Sequence, residues 1–134
     1  MQMLVNIDVH DLKRAVDFYC AAFDLTVGRR LGTEAVELLG GSSPIWLLLK
    51  PEGTSPSEFT SQRRAYERHW SPVHLDFTVA DIDVAVMKAL AAGAILEKPV
   101  ELHQWGKIAM FADPFGHGFC LLQFVGRGYN EISD

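Results

Sequence analysis

The sequence predicts an α+β fold built from two βαβββ modules, each running from a strand through a helix to about three further strands. The first observation behind this prediction is an internal repeat, because residues 5–16 resemble the segment that begins near residue 75. Setting Asp11 over Asp81 aligns a series of apolar positions. These pairs are Val9 with Val79, Leu12 with Ile82, Ala15 with Ala85 and Val16 with Val86.

The second observation is that apolar residues alternate at the start of both modules, which is typical of strands with one packed face. The apolar faces are Val5, Ile7 and Val9 in the first module and Val73, Leu75, Phe77 and Val79 in the second. We expect each helix to pack on its module's apolar face. The polar residues between them, Asn6 and Asp76 among others, should then point away from the helices.

The third observation is an aspartate at the start of each predicted helix. Asp11 caps a helix that runs to about Phe23, and Asp81 caps a helix that ends near Gly93. Further strands are predicted near residues 35–39, 45–50, 107–111 and 119–125, with a tail after Arg127. The organisation is one domain, 1–134, with module one at about 3–50, a connector at 51–72 and module two at 73–126. A short helix is expected near residues 63–69.

Composition limits the class of protein. A chain of 134 residues with 49% hydrophobic and 22% charged residues is typical of one globular domain. No apolar run approaches a membrane span, and no secretory signal is visible. The formal charge of −5 argues against nucleic acid as a partner. Cys20 and Cys120 show no metal-type spacing and fit reduced thiols, so we expect a cytoplasmic protein.

Two segments carry a family resemblance. Residues 11–19, Asp-Leu-Lys-Arg-Ala-Val-Asp-Phe-Tyr, and residues 113–117, Asp-Pro-Phe-Gly-His, resemble the vicinal oxygen chelate superfamily in the context of a duplicated βαβββ unit. That superfamily includes glyoxalases, extradiol dioxygenases and bleomycin resistance proteins. The resemblance implies paired modules whose curled sheets surround a cup. It does not select one activity, because this fold carries unrelated chemistries and pure binding proteins.

The resemblance also implies where a metal would bind. Metal-dependent relatives use histidine or glutamate on the first and last strands of the modules. His74 matches one such position, whereas its counterpart in the first module is Leu4 and the position after the final turn is Cys120. The remaining position is Trp46, or Leu48 if the register slips. Leucine and tryptophan offer no lone pair to a divalent ion, so we predict no metal and no cofactor.

Several residues are candidates for the site. His74 and Asp76 lie on one strand face and suit acid–base work, while Cys120 is a candidate nucleophile if a base activates it. The same three residues are an alternative, non-standard zinc set. The predicted ligand-binding residues are Asn6, Asp8, Trp46, Leu48, His74, Asp76, Trp105 and Cys120.

Each candidate also has a purely structural interpretation. The polar strand faces can be solvated or internally paired, Cys120 can be a buried inert thiol, and Trp46 and Trp105 can be core aromatics. His117 follows a turn glycine and is interpreted as serving local geometry. A cationic patch in the connector, Arg63, Arg64, Arg68 and His69, is interpreted as a solvated surface.

Two classes of function follow. The first is a glyoxalase- or bleomycin-resistance-like protein that binds a small organic molecule in a metal-free cup. The second is a glyoxalase-like lyase or isomerase that uses His74 and Asp76, or an atypical divalent metal at His74. Whether the protein is an enzyme stays open. The expected partners are a small-molecule ligand and a second copy of the chain in a homodimer, with no nucleic acid and no membrane.

Overall fold

The computed structural model describes residues 1–134, which form two compact units, Met1–Glu67 and Arg68–Asp134. The first unit contains β1 (Val5–Val9), α1 (Leu12–Phe23), β2 (Thr26–Leu31), β3 (Ala35–Leu39) and β4 (Ile45–Leu49). The second contains β5 (Leu75–Thr78), α2 (Ile82–Ala92), β6 (Ile95–His103), β7 (Gly106–Ala112), β8 (Gly118–Phe124) and a 3₁₀ turn, Gly128–Glu131. This order confirms the predicted α+β fold with a repeated βαβββ unit.

Each unit contains one four-stranded sheet in which the first strand pairs with the last. The strand orders are β1-β4-β3-β2 and β5-β8-β7-β6. The pairs β1–β4 and β5–β8 are parallel, whereas the other pairs are antiparallel. The register places Asn6 beside Trp46 and Asp76 beside Cys120. Residues from opposite ends of each module therefore become neighbours.

Both helices begin at the predicted aspartates. The Asp11 carboxylate accepts a hydrogen bond from the Arg14 amide at 2.9 Å, and Asp81 accepts from the amides of Asp83 and Val84. These bonds satisfy amides that have no partner inside the helix. α2 ends at Gly93, whose φ of 111° lies in the left-handed region that glycine tolerates. The caps and helix ends were correctly predicted.

Each helix packs on one face of its own sheet, which we call the helix face; the opposite side is the far face. In the first unit, α1 contacts β2, β3 and β4, and Val9, Val36 and Leu47 are completely buried. In the second unit, α2 contacts β6, β7 and β8, and the buried rings of Phe111 and Phe119 stack at 5.3 Å.

The exposed residues of the first strands confirm the predicted register. Asn6 and Asp76 are exposed, whereas Ile7 and Val9 are buried. The alternation of a strand forces neighbouring side chains onto opposite faces, so the polar residues lie on the far faces.

The structure corrects three details of the sequence interpretation. β2 and β6 were not predicted, because both are edge strands with mainly exposed residues, and β6 contains Pro99. The short helix expected at residues 63–69 is absent. The predicted tail after Arg127 contains the 3₁₀ turn at Gly128–Glu131.

Neither helix is suited to crossing a membrane. α1 has 12 residues and α2 has 11, whereas a spanning helix needs about 20 mainly apolar residues.

Candidate functional site

The second unit brings His74, Asp76 and Cys120 together on its far face. Asp76 in β5 pairs in register with Cys120 in β8, and His74 precedes Asp76 by two residues and so shares its face. One potential ligand atom from each side chain lies within 4.8 Å of the other two. The distance from His74 Nε2 to Asp76 Oδ1 is 3.2 Å. The three catalytic candidates named from the sequence therefore form one cluster.

The thiol of this cluster is a weak nucleophile. Cys120 is 4% exposed, and burial raises its pKa to about 11, assisted by the charge of Asp76 and by a hydrogen bond to it. The thiol is protonated at neutral pH, so it donates to the Asp76 carboxylate. Because the thiolate is the reactive form, this environment disfavours nucleophilic chemistry by Cys120. His74 and Asp76 keep 54% and 38% of their side chains exposed and remain accessible to a ligand.

The register identifies which residues occupy the family's metal positions. Trp46 pairs with Asn6 in the first unit as Cys120 pairs with Asp76 in the second, so Trp46 rather than Leu48 is the counterpart of Cys120. Trp46 is only 8% exposed. With an indole there and the alkyl side chain of Leu4 at the fourth position, the family's usual donor set does not fit a metal ion.

The other predicted residues of the first unit have different surroundings. Asn6 is exposed and Leu48 is half-buried on the far face. Asp8 is not an isolated carboxylate, because Arg64 Nε lies 2.8 Å from its Oδ2. Asp8 is therefore charge-compensated from within its own unit.

The connector cations are likewise engaged in contacts. Arg64 also donates to Thr54 and to the carbonyl of Ser55, and Arg68 forms a bidentate pair with Glu97. His69 Nε2 lies 3.1 Å from His117 Nδ1, and the backbone amide of His117 donates to Asp113. The patch is therefore partly the solvated surface expected, since Arg63 and Arg68 are exposed, and partly a set of internal contacts. His117 supports its turn as expected.

Trp105 lies at the other end of the second unit. Its ring stacks on His103 with centroids 5.3 Å apart and packs against Tyr129 of the 3₁₀ turn at 5.2 Å. Phe124, which pairs with Gly106 beside Trp105, is four residues beyond Cys120 on β8. At the usual rise per residue, this corresponds to about 13 Å along the strand. Trp105 is therefore separate from the His74 cluster.

Sequence reasoning missed a pair on the far face of the first unit. Glu37 in β3 is 4% exposed and pairs in register with Trp46. Arg29 donates to its carboxylate from the backbone amide, from Nε at 2.8 Å and from Nη2, and these bonds hold the pKa of Glu37 at about 2. The available signal was a glutamate inside the otherwise apolar strand Ala-Val-Glu-Leu-Leu.

The pKa of Cys120 leads to a test of the cluster. In a Cys20→Ser background, we expect Asp76→Asn to raise the rate of Cys120 alkylation by iodoacetamide near pH 9 by about tenfold. The substitution removes the negative charge that opposes thiolate formation, and a fall of one pKa unit increases the thiolate fraction about tenfold. The pH–rate profile, measured by mass spectrometry, gives the pKa directly.

Asp83→Asn is the matched control, since Asp83 is an exposed carboxylate of the same unit outside the cluster. Equal alkylation rates in the two variants, or rapid alkylation of the unsubstituted cluster at neutral pH, would contradict the assigned role of Asp76.

Comparison with known proteins agrees with this architecture. The model of the glyoxalase-like domain family matches residues 4–122. An uncharacterised protein of Mycobacterium tuberculosis is 32% identical over 124 residues, covering 87% of this chain and 71% of the relative. A glyoxalase/bleomycin resistance protein/dioxygenase family enzyme from Burkholderia phytofirmans has a TM-score of 0.71 at 22% identity, covering 91% of this chain and 97% of that one. An antibiotic-binding protein from Streptomyces has a TM-score of 0.64 at 20% identity, covering 93% and 96%. The chain belongs to the glyoxalase-like domain family.

Proposed function

We propose that this protein binds small organic molecules on the far face of each unit, without a metal ion. The observation that carries the proposal is the replacement of two of the family's four donor positions by Leu4 and Trp46 in the first unit, together with an accessible polar pair in the second. Binding sites of this kind combine apolar surface with a few polar groups that orient the ligand. His74 and Asp76 are the proposed polar groups, and the thiol of Cys120 donates a hydrogen bond to Asp76.

Apolar contacts are proposed for each unit separately. On the first unit they come from Trp46 and Leu48, with Asn6 as an additional polar contact and Asp8 held by Arg64. On the second unit Trp105 provides an aromatic surface at the end of the sheet. The antibiotic-binding Streptomyces protein supports this class of function because it shares the fold. We further propose a cytoplasmic location, consistent with two free cysteines.

A thermal-shift screen of small organic compounds tests this proposal. A ligand at about 100 times its Kd stabilises a protein by about 2.7 kcal/mol, which shifts the Tm by several degrees. His74→Ala should weaken such a ligand about tenfold, because it removes one hydrogen bond to a polar group. His10→Ala provides the control, since it removes an exposed histidine that contacts Tyr66 in the first unit, outside the cluster. A ligand whose affinity is unaffected by His74→Ala would place the binding site elsewhere.

A second candidate function is favoured by the convergence of His74, Asp76 and Cys120. One imidazole, one carboxylate and one thiolate within 4.8 Å match the donor types and number of a catalytic zinc site. This arrangement supports a glyoxalase-like lyase or isomerase with an atypical divalent metal. It differs from the family's usual set, because all three donors come from the second unit.

Elemental analysis of the purified protein separates the two candidates. The metal-free proposal expects far less than one equivalent of zinc, nickel, manganese or iron, and no change on His74→Ala. A near-stoichiometric metal that is lost in His74→Ala and retained in His10→Ala would establish the second candidate instead.

We also propose a homodimer. β1 and β5 each lie at the end of their sheet, so one backbone edge of each strand has no partner within that sheet. Such edges favour pairing with another chain, and a two-fold dimer is the commonest closed assembly. Light scattering should give twice the chain mass of 14.9 kDa at micromolar concentration. A monomer mass across that range would refute the dimer.

A further inference from the structure

On the far face of the first unit, a strand bulge holds Arg29 against the buried carboxylate of Glu37. Between Val27 and Arg30 the pairing of β2 with β3 shifts, so that Gly28 and Arg29 form a bulge opposite Glu37. The bulge turns Arg29 toward the Glu37 carboxylate, which accepts three of its N–H groups. A bulge of this kind redirects a side chain, and bulges are frequent beside functional sites.

Gly28 leaves room for this arrangement, and the Trp46 ring lies against it. A Cβ on Gly28 would lie 2.7 Å from Glu37 Oε2, so a larger residue there would displace the carboxylate. The Arg29 guanidinium carbon lies 5.3 Å from the ring centroid of Trp46. The guanidinium is therefore fixed by hydrogen bonds on one edge and by an indole beside it.

Stability alone does not account for the pair. The Arg29 side chain is 72% exposed while that of Glu37 is 5% exposed. The hydrogen bonds stabilise the charged Glu37, but compensating a buried carboxylate does not require a partner that stays this exposed. The arrangement instead orients an exposed cation, in the way that carboxylates orient ligand-binding groups from behind.

The remaining donors of Arg29 define what it can bind. Nε and Nη2 are directed at Glu37, which leaves both N–H groups of Nη1 and one of Nη2 for a ligand. A guanidinium edge with two nitrogens matches the two oxygens of a carboxylate. We propose that Arg29 binds the carboxylate of a small organic ligand, an assignment that rests on the proposed binding function and defines its ligand class.

The second unit has no equivalent pair of an exposed cation and a buried carboxylate at this position. Its pairing of β6 with β7 is also irregular near Lys98. Lys98 pairs with Met110, and Met110 occupies the position that Glu37 has in the first unit. Lys98 forms an ion pair with Glu101, and both side chains are about half exposed. No buried carboxylate fixes that ammonium, so the anion site belongs to the first unit alone. The net charge of −5 has limited influence at this site, because charges beyond about 8 Å are screened at physiological salt.

Three probes of similar size and different charge test the assignment. Benzoate, benzamidine and benzyl alcohol are titrated against the full-length protein by thermal shift and calorimetry. Benzoate is expected to bind at least tenfold more tightly than the other two. The double variant R29Q/E37Q should weaken benzoate at least tenfold without leaving an uncompensated buried carboxylate. R29K, which retains the charge but loses the planar fork, should weaken it to a smaller extent.

R30Q is the control, because Arg30 is the adjacent exposed arginine and pairs opposite Val36 of the helix face. Benzoate binding that survives in R29Q/E37Q but not in R30Q would overturn the assignment. Tighter binding of benzamidine or benzyl alcohol would also overturn it while leaving the broader binding function intact. Stabilisation by none of the three probes, together with an empty compound screen, would count against both.

Discussion

The parallel pairing of the first and last strands is the constraint on which the rest of the structure depends. In each unit, a strand from the start of the module lies against a strand from its end, and only this pairing brings Asp76 beside Cys120 and Asn6 beside Trp46. A parallel pair requires a long crossover, which the helix and the two intervening strands provide. The helix then covers one face of the sheet, so the polar residues of the first strand can only lie on the other face.

The two units use this common geometry for different chemistry. The far face of the second presents a histidine, a carboxylate and a thiol, while that of the first presents an amide, an indole and a buried carboxylate bound to Arg29. The two units share the same strand order, because the packing of each helix on its sheet depends on it. The far faces are free of that requirement and can diverge in function.

Much of the fold could be predicted from the sequence because its signals are local. Asp11 and Asp81 mark the helix starts by capping, and the alternation around Ile7 and Phe77 sets the faces correctly. β2 and β6 could not be predicted in the same way, since an exposed edge strand buries too few side chains to alternate clearly. The cluster at His74 was partly predictable from the repeat. The pair of Arg29 and Glu37 was not predicted, because a glutamate inside an apolar strand indicates a buried charge but not the bulge that brings Arg29 to it.

The distance along the chain between paired strands has a consequence for how the protein folds. Val5 pairs with Ile45, and Leu75 pairs with Phe119, so each contact closes a loop of about 40 residues. A ribosome must therefore release nearly a complete module before its first strand finds a partner. Until then the first strand remains unpaired with its apolar face uncovered, and slow non-local pairing of this kind favours aggregation. The aspartate-capped helices depend on local contacts, so their formation does not have to wait for the last strand of the module.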